Sequence, residues 1–378
     1  MNVLFLSHTH LGGTFVVGSH HLAKGLSKKG CRVLHISTPL TPIHFLKKNK
    51  ETMYKQEIRK RNEEKNNLKN FVPFSLFFPW KISRHLYSLL NVNLFALLAL
   101  REIKSKVKET FGEKVIDVIL IDQPSFVGIE RFIKAKKIIY RATDIYSNLL
   151  NDSIILKAER EIIKRCDGLI GTSSPVIKHI TSYNNSLPYL LLENGVDLEH
   201  FTIKQNKPSE YEFIQDKIAV YVGAIDERFD TNSIIDLALA RKDLKIVLIG
   251  PVKVDISVLK RYTNIEIIGA RDYKTLPSYL QYADVALLPM INNKANNGRS
   301  PMKLYEYLAA GLPVVTLETE EIGRRKEKNV FLYNRKKKID KAVEEALLNF
   351  QANKSMEYLN KHSWDSKTNM LIKFIEKL

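Results

Sequence analysis

The chain has 378 residues, of which 44% are apolar and 26% charged, and its formal net charge is +18 at pH 7. One hydrophobic core rarely serves a chain of this length, so we expect two domains; the composition excludes a largely disordered or low-complexity chain. The two cysteines, Cys31 and Cys166, lack CxxC spacing, which argues against a disulfide framework and a structural zinc site. The positive charge has four possible explanations: binding to nucleic acid, to an anionic membrane surface or to an anionic substrate, and general solubility.

The N-terminus runs directly into the apolar stretch 2–7 without a basic region or a cleavage site. This pattern argues against a secretory signal and favours a cytoplasmic location. The longest apolar stretch, 86–100, contains Asn91 and Asn93 and is too short and too polar to span a bilayer. Attachment to the inner face of the plasma membrane stays open.

Twelve continuously apolar runs alternate with helical stretches in two groups. The first group is 2–7, 31–38, 115–122, 136–142, 167–173 and 189–195, and the second is 217–223, 245–250, 265–269, 284–289, 313–317 and 329–333. Apolar runs of this kind, each followed by a helix, are typical of parallel strands covered on both faces. The predicted fold class is therefore α/β with doubly wound sheets.

The predicted domains are an N-terminal Rossmann-like domain at 1–200 and a C-terminal one at 218–354. The polar segment 201–217 contains Pro208 and is the predicted linker. A last helix at 355–378 carries Trp364, Met370, Leu371 and Phe374 at helical spacing, and whether it packs back across the boundary stays open. Open α/β sheets bind ligands at the carboxyl ends of their strands, so we expect the function in a cleft between the two domains.

The loop after the first strand contains Gly12 and Gly13, which would let the backbone approach a ligand on the acceptor side. The sequence has neither GxGxxG here with an acid after the second strand nor a GxxxxGK[ST] motif. Dinucleotide binding and P-loop nucleotide binding are therefore disfavoured.

Four histidines cluster around this loop, but no Asp, Glu or Cys completes a metal-ligand set at familiar spacing. We therefore expect no metal, and His20 and His21 are interpreted as ordinary helix residues. His8 and His10 lie in the loop itself, where an imidazole could contact substrate or act as a base. His10 is accordingly a candidate catalytic residue.

The charged segment 47–69 is predicted to be a solvated helix or a loop over the cleft. The next segment, 70–106, combines aromatic and basic side chains: Phe71, Phe74, Phe77, Phe78, Trp80, Lys81, Arg84 and Arg101. Two interpretations stay open, namely a face that lies on an anionic membrane leaflet and a helix pair packed into the core.

The segment 296–315 is predicted to begin a helix with Ser300 as N-cap and Pro301 at the first helical position. Lys303 then falls in the first turn, where the helix dipole disfavours a cation. A bound anion would explain it, since helix N-termini bind phosphates. Glu306 lies one turn further on the same face, where a carboxylate could accept both hydroxyls of a ribose.

The stretch "SPMKLYEYLAAGLPVV", preceded by "LPSYLQYADVALLPM", resembles the donor-binding segment of GT-B fold, nucleotide-sugar-dependent glycosyltransferases. It is most similar to the branch with the xanthan glucuronosyltransferase and the teichuronic acid biosynthesis transferases. The resemblance implies two Rossmann-like domains, a UDP-sugar as co-substrate, no cofactor, and a saccharide or lipid-linked saccharide as acceptor. It places Met302 and Lys303 at the diphosphate, so that Lys303 replaces a metal ion, and Glu306 at the ribose.

The same resemblance implies further donor-site residues in two loops, namely Gly223 and Arg228 in 221–230 and Gly269, Arg271 and Tyr273 in 264–273. The segment 136–150 resembles the family's "YR…D" segment, which makes Asp144 the expected general base. Capping of the following helix is the alternative for Asp144. Arg141 is expected to pair with Asp144 or to contact a phosphate.

Many retaining relatives carry a second glutamate eight positions before the ribose glutamate, and here that position is Gly298. This difference favours inversion with a base from the N-terminal domain. Three alternatives stay open: a retaining enzyme of the same fold, a UDP-sugar epimerase, and a nucleic-acid-binding protein. The basic runs at 324–328 and 335–338 motivate the last of these, but no recognition module is evident, so specific nucleic-acid binding is not expected.

Overall fold

The computed structural model describes residues 1–13, 16–46, 50–61, 64–150, 152–351 and 356–378. The chain divides into two compact units. The first unit is Met1–Glu193 together with Trp364–Leu378, and the second is Asn194–Ser363. The segment 201–217, predicted as the linker, belongs to the second unit, where Phe201 and Tyr211 are buried.

The described part of the first unit forms an eight-stranded sheet in the order β3-β4-β2-β1-β5-β6-β7-β8. Its strands are β1 (Asn2–Ser7), β2 (Arg32–Ser37), β3 (Glu64–Lys65), β4 (Leu68–Phe71), β5 (Ile116–Ile121), β6 (Ala135–Ala142), β7 (Gly168–Gly171) and β8 (Tyr189–Leu191). All neighbours are parallel except β3, which is antiparallel to β4. The central strand β1 is buried from Val3 to Ser7, as expected for a strand covered on both faces.

The described part of the second unit forms a six-stranded parallel sheet in the order β11-β10-β9-β12-β13-β14. Its strands are β9 (Lys217–Val222), β10 (Leu244–Ile249), β11 (Ile265–Gly269), β12 (Val285–Leu288), β13 (Val314–Leu317) and β14 (Val330–Tyr333). The order reverses at β9, and ligands of open α/β sheets bind at such switch points.

Helices connect the strands in both units. In the first unit they are α1 (Gly18–Lys28), α2 (Pro42–Leu46), α3 (Lys50–Arg61), α4 (Trp80–Leu90), α5 (Leu94–Leu97), α6 (Leu100–Phe111), α7 (Tyr146–Leu150), α8 (Ile154–Ile163) and α9 (Ser174–Thr181). In the second they are α10 (Leu198–Thr202), α11 (Thr231–Ala240), α12 (Leu276–Gln281), α13 (Lys294–Asn297), α14 (Met302–Ala309), α15 (Glu320–Arg325), α16 (Ile339–Asn349) and α17 (Met356–Lys361). The chain ends in α18 (Trp364–Lys377), which belongs to the first unit.

The predicted fold class is confirmed, since each of the twelve apolar runs contains a strand and both sheets are essentially parallel. The prediction for 47–69 was incomplete: part of this segment forms α3, but β3 and the start of β4 lie here as well. Residues 47–49 and 62–63 fall outside the described residues.

The C-terminal segment differs from the predicted single helix because α17 ends at Lys361 and α18 begins at Trp364. The buried face of α18 includes Trp364 and Leu371, as predicted, but Met370 is exposed. Trp364 stacks on His21 of α1 with ring centroids 4.8 Å apart. No helix within the described ranges combines the length and the apolar character needed to cross a membrane.

Candidate functional site

The carboxyl edge of the second sheet is built from three glycines that end or follow neighbouring strands. The Gly223 N–H donates to the Ile249 carbonyl at 2.8 Å, and the Gly250 N–H donates to the Gly269 carbonyl at 2.9 Å. A Cβ atom on Gly250, whose φ is +150°, would lie 1.8 Å from the Gly223 carbonyl oxygen. The strand ends therefore approach so closely that only glycine fits at Gly250.

The Lys303 side chain crosses this edge directly over Gly223. A Cβ atom at Gly223 would lie 2.3 Å from Lys303 Cε and 2.7 Å from the Tyr221 hydroxyl. Helix α14 is held in place by Tyr307, whose buried hydroxyl accepts from the Val222 N–H at 2.9 Å and donates to the Val222 carbonyl at 3.0 Å. The structure thus brings together Lys303 and Gly223, which the family resemblance assigns to the donor site.

The start of α14 differs from the prediction. The helix begins at Met302, with Pro301 in the N-cap position and no side-chain cap. The Ser300 hydroxyl does not cap it, because this oxygen accepts from Arg325 at 2.8 Å and from the Asn194 N–H at 3.2 Å. The first-turn N–H groups of an uncapped helix are available to an anion.

The side chains around Lys303 give this edge a positive character. Burial lowers the pKa of Lys303; the charges of Arg299 and Arg228 act in the same direction, and Glu306 opposes them. Arg228 is paired with Asp226, whose carboxylate accepts from Arg228 Nε at 3.0 Å. Three cations thus share the site with two carboxylates, which suits a ligand with more than one negative charge.

Glu306 is half-buried beside this cluster. Burial raises its pKa; Lys303 opposes that effect and Asp197 adds to it. The ring of Tyr273 stacks on His200 with centroids 4.3 Å apart, and among the described residues its buried hydroxyl has no hydrogen-bond partner. Burial raises the pKa of this hydroxyl, and the charges of Glu306 and Asp197 raise it further. Polar groups suited to ribose hydroxyls therefore gather here.

Arg271 is hydrogen-bonded to groups of the second unit, both beside it in the chain and in other segments. Its guanidinium donates to Glu210 at 2.9 Å, to the Tyr279 hydroxyl at 3.1 Å and to the Ile268 carbonyl at 3.0 Å. The hydrogen bonds from Tyr279 and Arg271 lower the pKa of Glu210 to about 2. Arg271 therefore shapes the loop after Gly269, and a direct contact with a nucleobase stays a prediction.

In the first unit, Asp144 lies in the short loop between β6 and α7 and is half-buried. The Thr143 hydroxyl lies 3.3 Å from Asp144 Oδ2, and the Thr143 carbonyl accepts from the Thr172 hydroxyl at 2.7 Å. The loop is thus fastened to the end of β7. Capping of α7 stays the alternative role for Asp144.

Arg141 pairs with Asp122 rather than with Asp144. Both side chains are buried, and Arg141 Nη1 lies 2.8 Å from Asp122 Oδ2. Burial raises the pKa of Asp122 to about 6, although the Arg141 charge opposes the shift. With 1% of its surface exposed, Arg141 is buried in this pair, and a contact with a phosphate stays a prediction.

The histidine region is mostly buried. His10 lies under the glycine loop, since a Cβ atom on Gly13 would be 2.8 Å from His10 Nε2. Gly12, in the same loop, has a φ of +81°, which favours glycine. In contrast to His10, the side chain of His8 is exposed. Across the described part of the chain, no group of three or more His, Cys, Asp or Glu residues is placed to hold a metal ion.

The buried imidazoles predict that the first unit loses stability in mild acid. Burial lowers the pKa of His20 to about 2 and that of His35 to about 3, from 6.5. As the pH falls below 6.5, the unfolded chain binds these protons and the folded chain does not. Asp122 has the opposite effect on stability between pH 6 and pH 4, because its raised pKa lets the folded chain bind a proton that the unfolded chain does not yet bind. This proton offsets one of the two histidine protons. From these three groups alone, the net loss of stability there should be about 1.4 kcal/mol per pH unit.

Urea unfolding followed by tryptophan fluorescence measures this effect, because both tryptophans, Trp80 and Trp364, lie in the first unit. We expect the urea midpoint to fall steadily from pH 6.5 to pH 4. A midpoint that stays constant or rises over this range would contradict the assignment of neutral, buried imidazoles.

Comparison with known proteins shows the family and the fold. Residues 5–170 match the family described as "Glucuronosyltransferase GumK, N-terminal domain", and residues 216–351 match "Glycosyl transferases group 1". Sucrose-phosphate synthase from Thermosynechococcus elongatus has a similar fold, with a TM-score of 0.74 at 13% identity over 100% of this chain and 99% of that one. The chain belongs to the GT-B glycosyltransferases. The predicted family and the prediction of an enzyme are both confirmed.

Two further relatives of the glycosyltransferase are informative. The Anabaena protein HepE, in a structure with UDP-glucose, has a TM-score of 0.67 at 13% identity over the full length of both chains. A protein of Bacillus subtilis proposed to be the teichuronic acid biosynthesis glycosyltransferase TuaH is 27% identical over 231 residues. The matched part is 56% of this chain and 57% of TuaH.

The sequence analysis missed several residues that organise the glycosyltransferase's site. Arg299 lies in the segment that was analysed but was not selected as a third cation. Arg325 holds Ser300 from the end of α15, and Asp122 holds Arg141 from the end of β5. Only Arg299 carried a local signal, its position four residues before Lys303; the other contacts join residues far apart in sequence.

Proposed function

We propose that the enzyme transfers a sugar from a UDP-sugar to a saccharide or lipid-linked saccharide during synthesis of a cell-surface polysaccharide. The observation that carries this proposal is the position of Lys303, in the first turn of uncapped helix α14 and directly over Gly223. The HepE complex with UDP-glucose and the name given to TuaH support the donor class and the polysaccharide pathway.

The donor would bind in the second unit, where different groups contact its diphosphate, its ribose and its nucleobase. The diphosphate meets Lys303 and the N–H groups of Met302 and Lys303, while the neighbouring Arg228 and Arg299 add positive charge. The ribose hydroxyls donate to the Glu306 carboxylate. The nucleobase lies at the loop that follows Gly269, with Tyr273 and Arg271 shaping that loop.

The proposed chemistry is a single displacement with inversion. The acceptor oxygen forms a bond to the anomeric carbon, the bond from that carbon to the diphosphate oxygen breaks, and the acceptor proton passes to Asp144. Charge that develops on the diphosphate is stabilised by Lys303. Asp144 is a better base than His10, because His10 is 3% exposed and lies beneath Gly13. Retention of configuration is the alternative.

Turnover assays with UDP-sugars and candidate acceptors test this function. We expect UDP release that requires an acceptor and a product heavier than the acceptor by one sugar. An epimerase would instead change the sugar of the donor without an acceptor. Absence of both reactions across a broad set of UDP-sugars, acceptors and lipid extracts would count against the proposal.

Filling the space over Gly223 with a methyl group should weaken nucleotide binding. Gly223→Ala places a Cβ atom where Lys303 Cε and the Tyr221 hydroxyl now lie. We expect the flexible Lys303 chain to move away, and the affinity for UDP to fall about tenfold, as for loss of one charged hydrogen bond. Titration calorimetry measures the change. Gly323→Ala is the matched control, because its Cβ would meet no atom closer than 3.6 Å; equal affinity for both variants would contradict the assignment.

An exposed apolar face in the first unit supports the proposal that the enzyme rests on an anionic membrane. The buried side of α4 is formed by Ser83 and Tyr87. Three apolar side chains of the same helix, Ile82, Leu89 and Leu90, are exposed, and Leu89 has an exposed fraction of 78%. Leu76 and Phe78 are exposed just before α4, and the basic residues Lys81 on α4 and Arg101 on α6 are exposed as well. An amphipathic surface with basic residues suits anionic lipid headgroups.

Co-sedimentation with vesicles tests this surface. We expect binding to vesicles that contain phosphatidylglycerol, little binding to pure phosphatidylcholine vesicles, and a several-fold loss for the double change Leu89→Ser with Leu90→Ser. Leu348→Ser in the second unit is the control, since Leu348 is 76% exposed but lies far along the chain on α16. Equal binding of all three proteins would contradict a role for α4.

A further inference from the structure

A chain of hydroxyl groups leads from the Asp144 carboxylate into the first unit. The Thr143 hydroxyl lies 3.3 Å from Asp144 Oδ2 and 2.8 Å from the Tyr146 hydroxyl. The Tyr146 hydroxyl in turn donates to the Asp122 carbonyl at 2.6 Å. Tyr146 is buried, which raises the pKa of its hydroxyl, so this group keeps its proton.

The number of hydroxyl hydrogens limits which hydrogen bonds Thr143 and Tyr146 can donate at the same time. Tyr146 has one hydroxyl hydrogen, and the Asp122 carbonyl can only accept it. The Tyr146 oxygen is therefore left to accept from Thr143. Thr143 also has one hydroxyl hydrogen, so it can donate either to Tyr146 or to Asp144, but not to both at full strength.

We propose that Thr143 and Tyr146 are positioning residues that reverse their hydrogen bonding when Asp144 takes up a proton. While Asp144 is ionised, Thr143 donates to its carboxylate. Once Asp144 has received the acceptor proton, its new O–H donates to Thr143, whose own hydrogen turns to Tyr146. No proton leaves Asp144 in this step; only the direction of the hydrogen bonds changes. The inference rests on Asp144 as the proposed base.

The surrounding strand ends make this arrangement stable. The Thr172 hydroxyl after β7 holds the Thr143 carbonyl, and Asp122, whose carbonyl accepts from Tyr146, pairs its carboxylate with the buried Arg141. Among the described residues, the charged groups that act on the Tyr146 hydroxyl are Asp144, Asp122 and Arg141. Because both the ionised and the protonated form of Asp144 find a partner in Thr143, neither state requires the loop to move.

The two hydroxyl groups should shift the pKa of Asp144 in opposite directions when removed. Thr143→Val removes a donor to the carboxylate, and since hydrogen bonds to charged groups are the stronger ones, the pKa of Asp144 should rise by roughly half a unit. Tyr146→Phe removes the competing acceptor, so Thr143 donates to Asp144 all the time and the pKa should fall by a similar amount. A merely structural role would not give opposite signs.

The experiment is a pH titration of the full chain with ¹³C-carboxyl-labelled aspartate, in which Asp144→Asn identifies the Asp144 signal. Tyr140→Phe is the matched control, because the Tyr140 hydroxyl is also buried but donates to Glu159 at 2.7 Å. Shifts of opposite sign for Thr143→Val and Tyr146→Phe, with none for Tyr140→Phe, support the inference. Shifts of the same sign, or no shift, overturn it.

Turnover of the same variants separates this inference from the proposed function. If Asp144→Asn transfers sugar normally, Asp144 is not the base, whatever the titration shows. If Asp144→Asn is inactive but the titration finds no opposite shifts, the base stands and the reversal of hydrogen bonds is wrong. If both hold, the acidic limb of the pH–rate profile should move up with Thr143→Val and down with Tyr146→Phe.

Discussion

Asp144→Asn should lower the turnover number about 10²- to 10⁴-fold, the usual contribution of a positioned general base. The amide keeps the size of the side chain and its place in the loop between β6 and α7, but it cannot take the proton from the acceptor hydroxyl. UDP affinity should stay within about twofold of the wild type, since we assign nucleotide binding to the second unit. Steady-state kinetics and UDP titration together test this expectation.

The matched control is Glu113→Gln, which converts another carboxylate of the first unit to an amide at a position whose side chain is 89% exposed. This change should leave turnover unaffected. Normal turnover by Asp144→Asn would remove the base from the mechanism, and His10 or a retaining mechanism would then have to be considered. Loss of UDP binding in the same variant would point instead to a structural defect.

Lys303→Gln should lower both the turnover number and the affinity for UDP. Loss of one preorganised group that stabilises developing charge commonly costs 10²- to 10³-fold in turnover. We expect a loss in that range here, because Lys303 lies half-buried over Gly223 in the first turn of α14. The folded structure should tolerate the change, since burial lowers the pKa of Lys303 and its charge is therefore not favoured by the free protein.

Lys294→Gln is the control for this variant. Lys294 is exposed at the start of helix α13, which precedes α14 in the chain. Its replacement by Gln changes the net charge by the same amount as Lys303→Gln but leaves the residues around Gly223 unchanged. If the two variants lose activity to the same small extent, the effect of Lys303 is one of general charge. If Lys303→Gln alone keeps full turnover, the diphosphate assignment is wrong.

The strands could be predicted because a doubly wound sheet leaves a direct record in the sequence. A parallel strand covered on both faces must be apolar along its whole length, and each of the twelve runs found in this way contains a strand. Strand β4 escaped because Leu68–Phe71 alternates between partly exposed and buried residues inside a charged segment. Met370 was misplaced since its spacing alone did not reveal which side of α18 packs on α1.

The candidate site could be predicted only in its local parts. Lys303 and Glu306 follow from one helix turn and from the family resemblance, and the structure adds that Lys303 lies over Gly223. The pairing of Arg141 with Asp122 depends on β5 and β6 being neighbours, which no local pattern encodes. Ser300 was taken for a cap because its hydroxyl was available in the sequence, whereas in the fold Arg325 occupies it.

Thermal unfolding with a panel of nucleoside diphosphates tests the donor site most directly. A ligand at a hundred times its dissociation constant stabilises a protein by about 2.7 kcal/mol, which is a readily visible shift of the midpoint. We predict that UDP raises the midpoint of the wild type more than ADP or GDP does, without added metal, and that Lys303→Ala loses the UDP shift. A wild type that no nucleotide stabilises, or a variant stabilised as much as the wild type, would contradict the assignment of the nucleotide-sugar site.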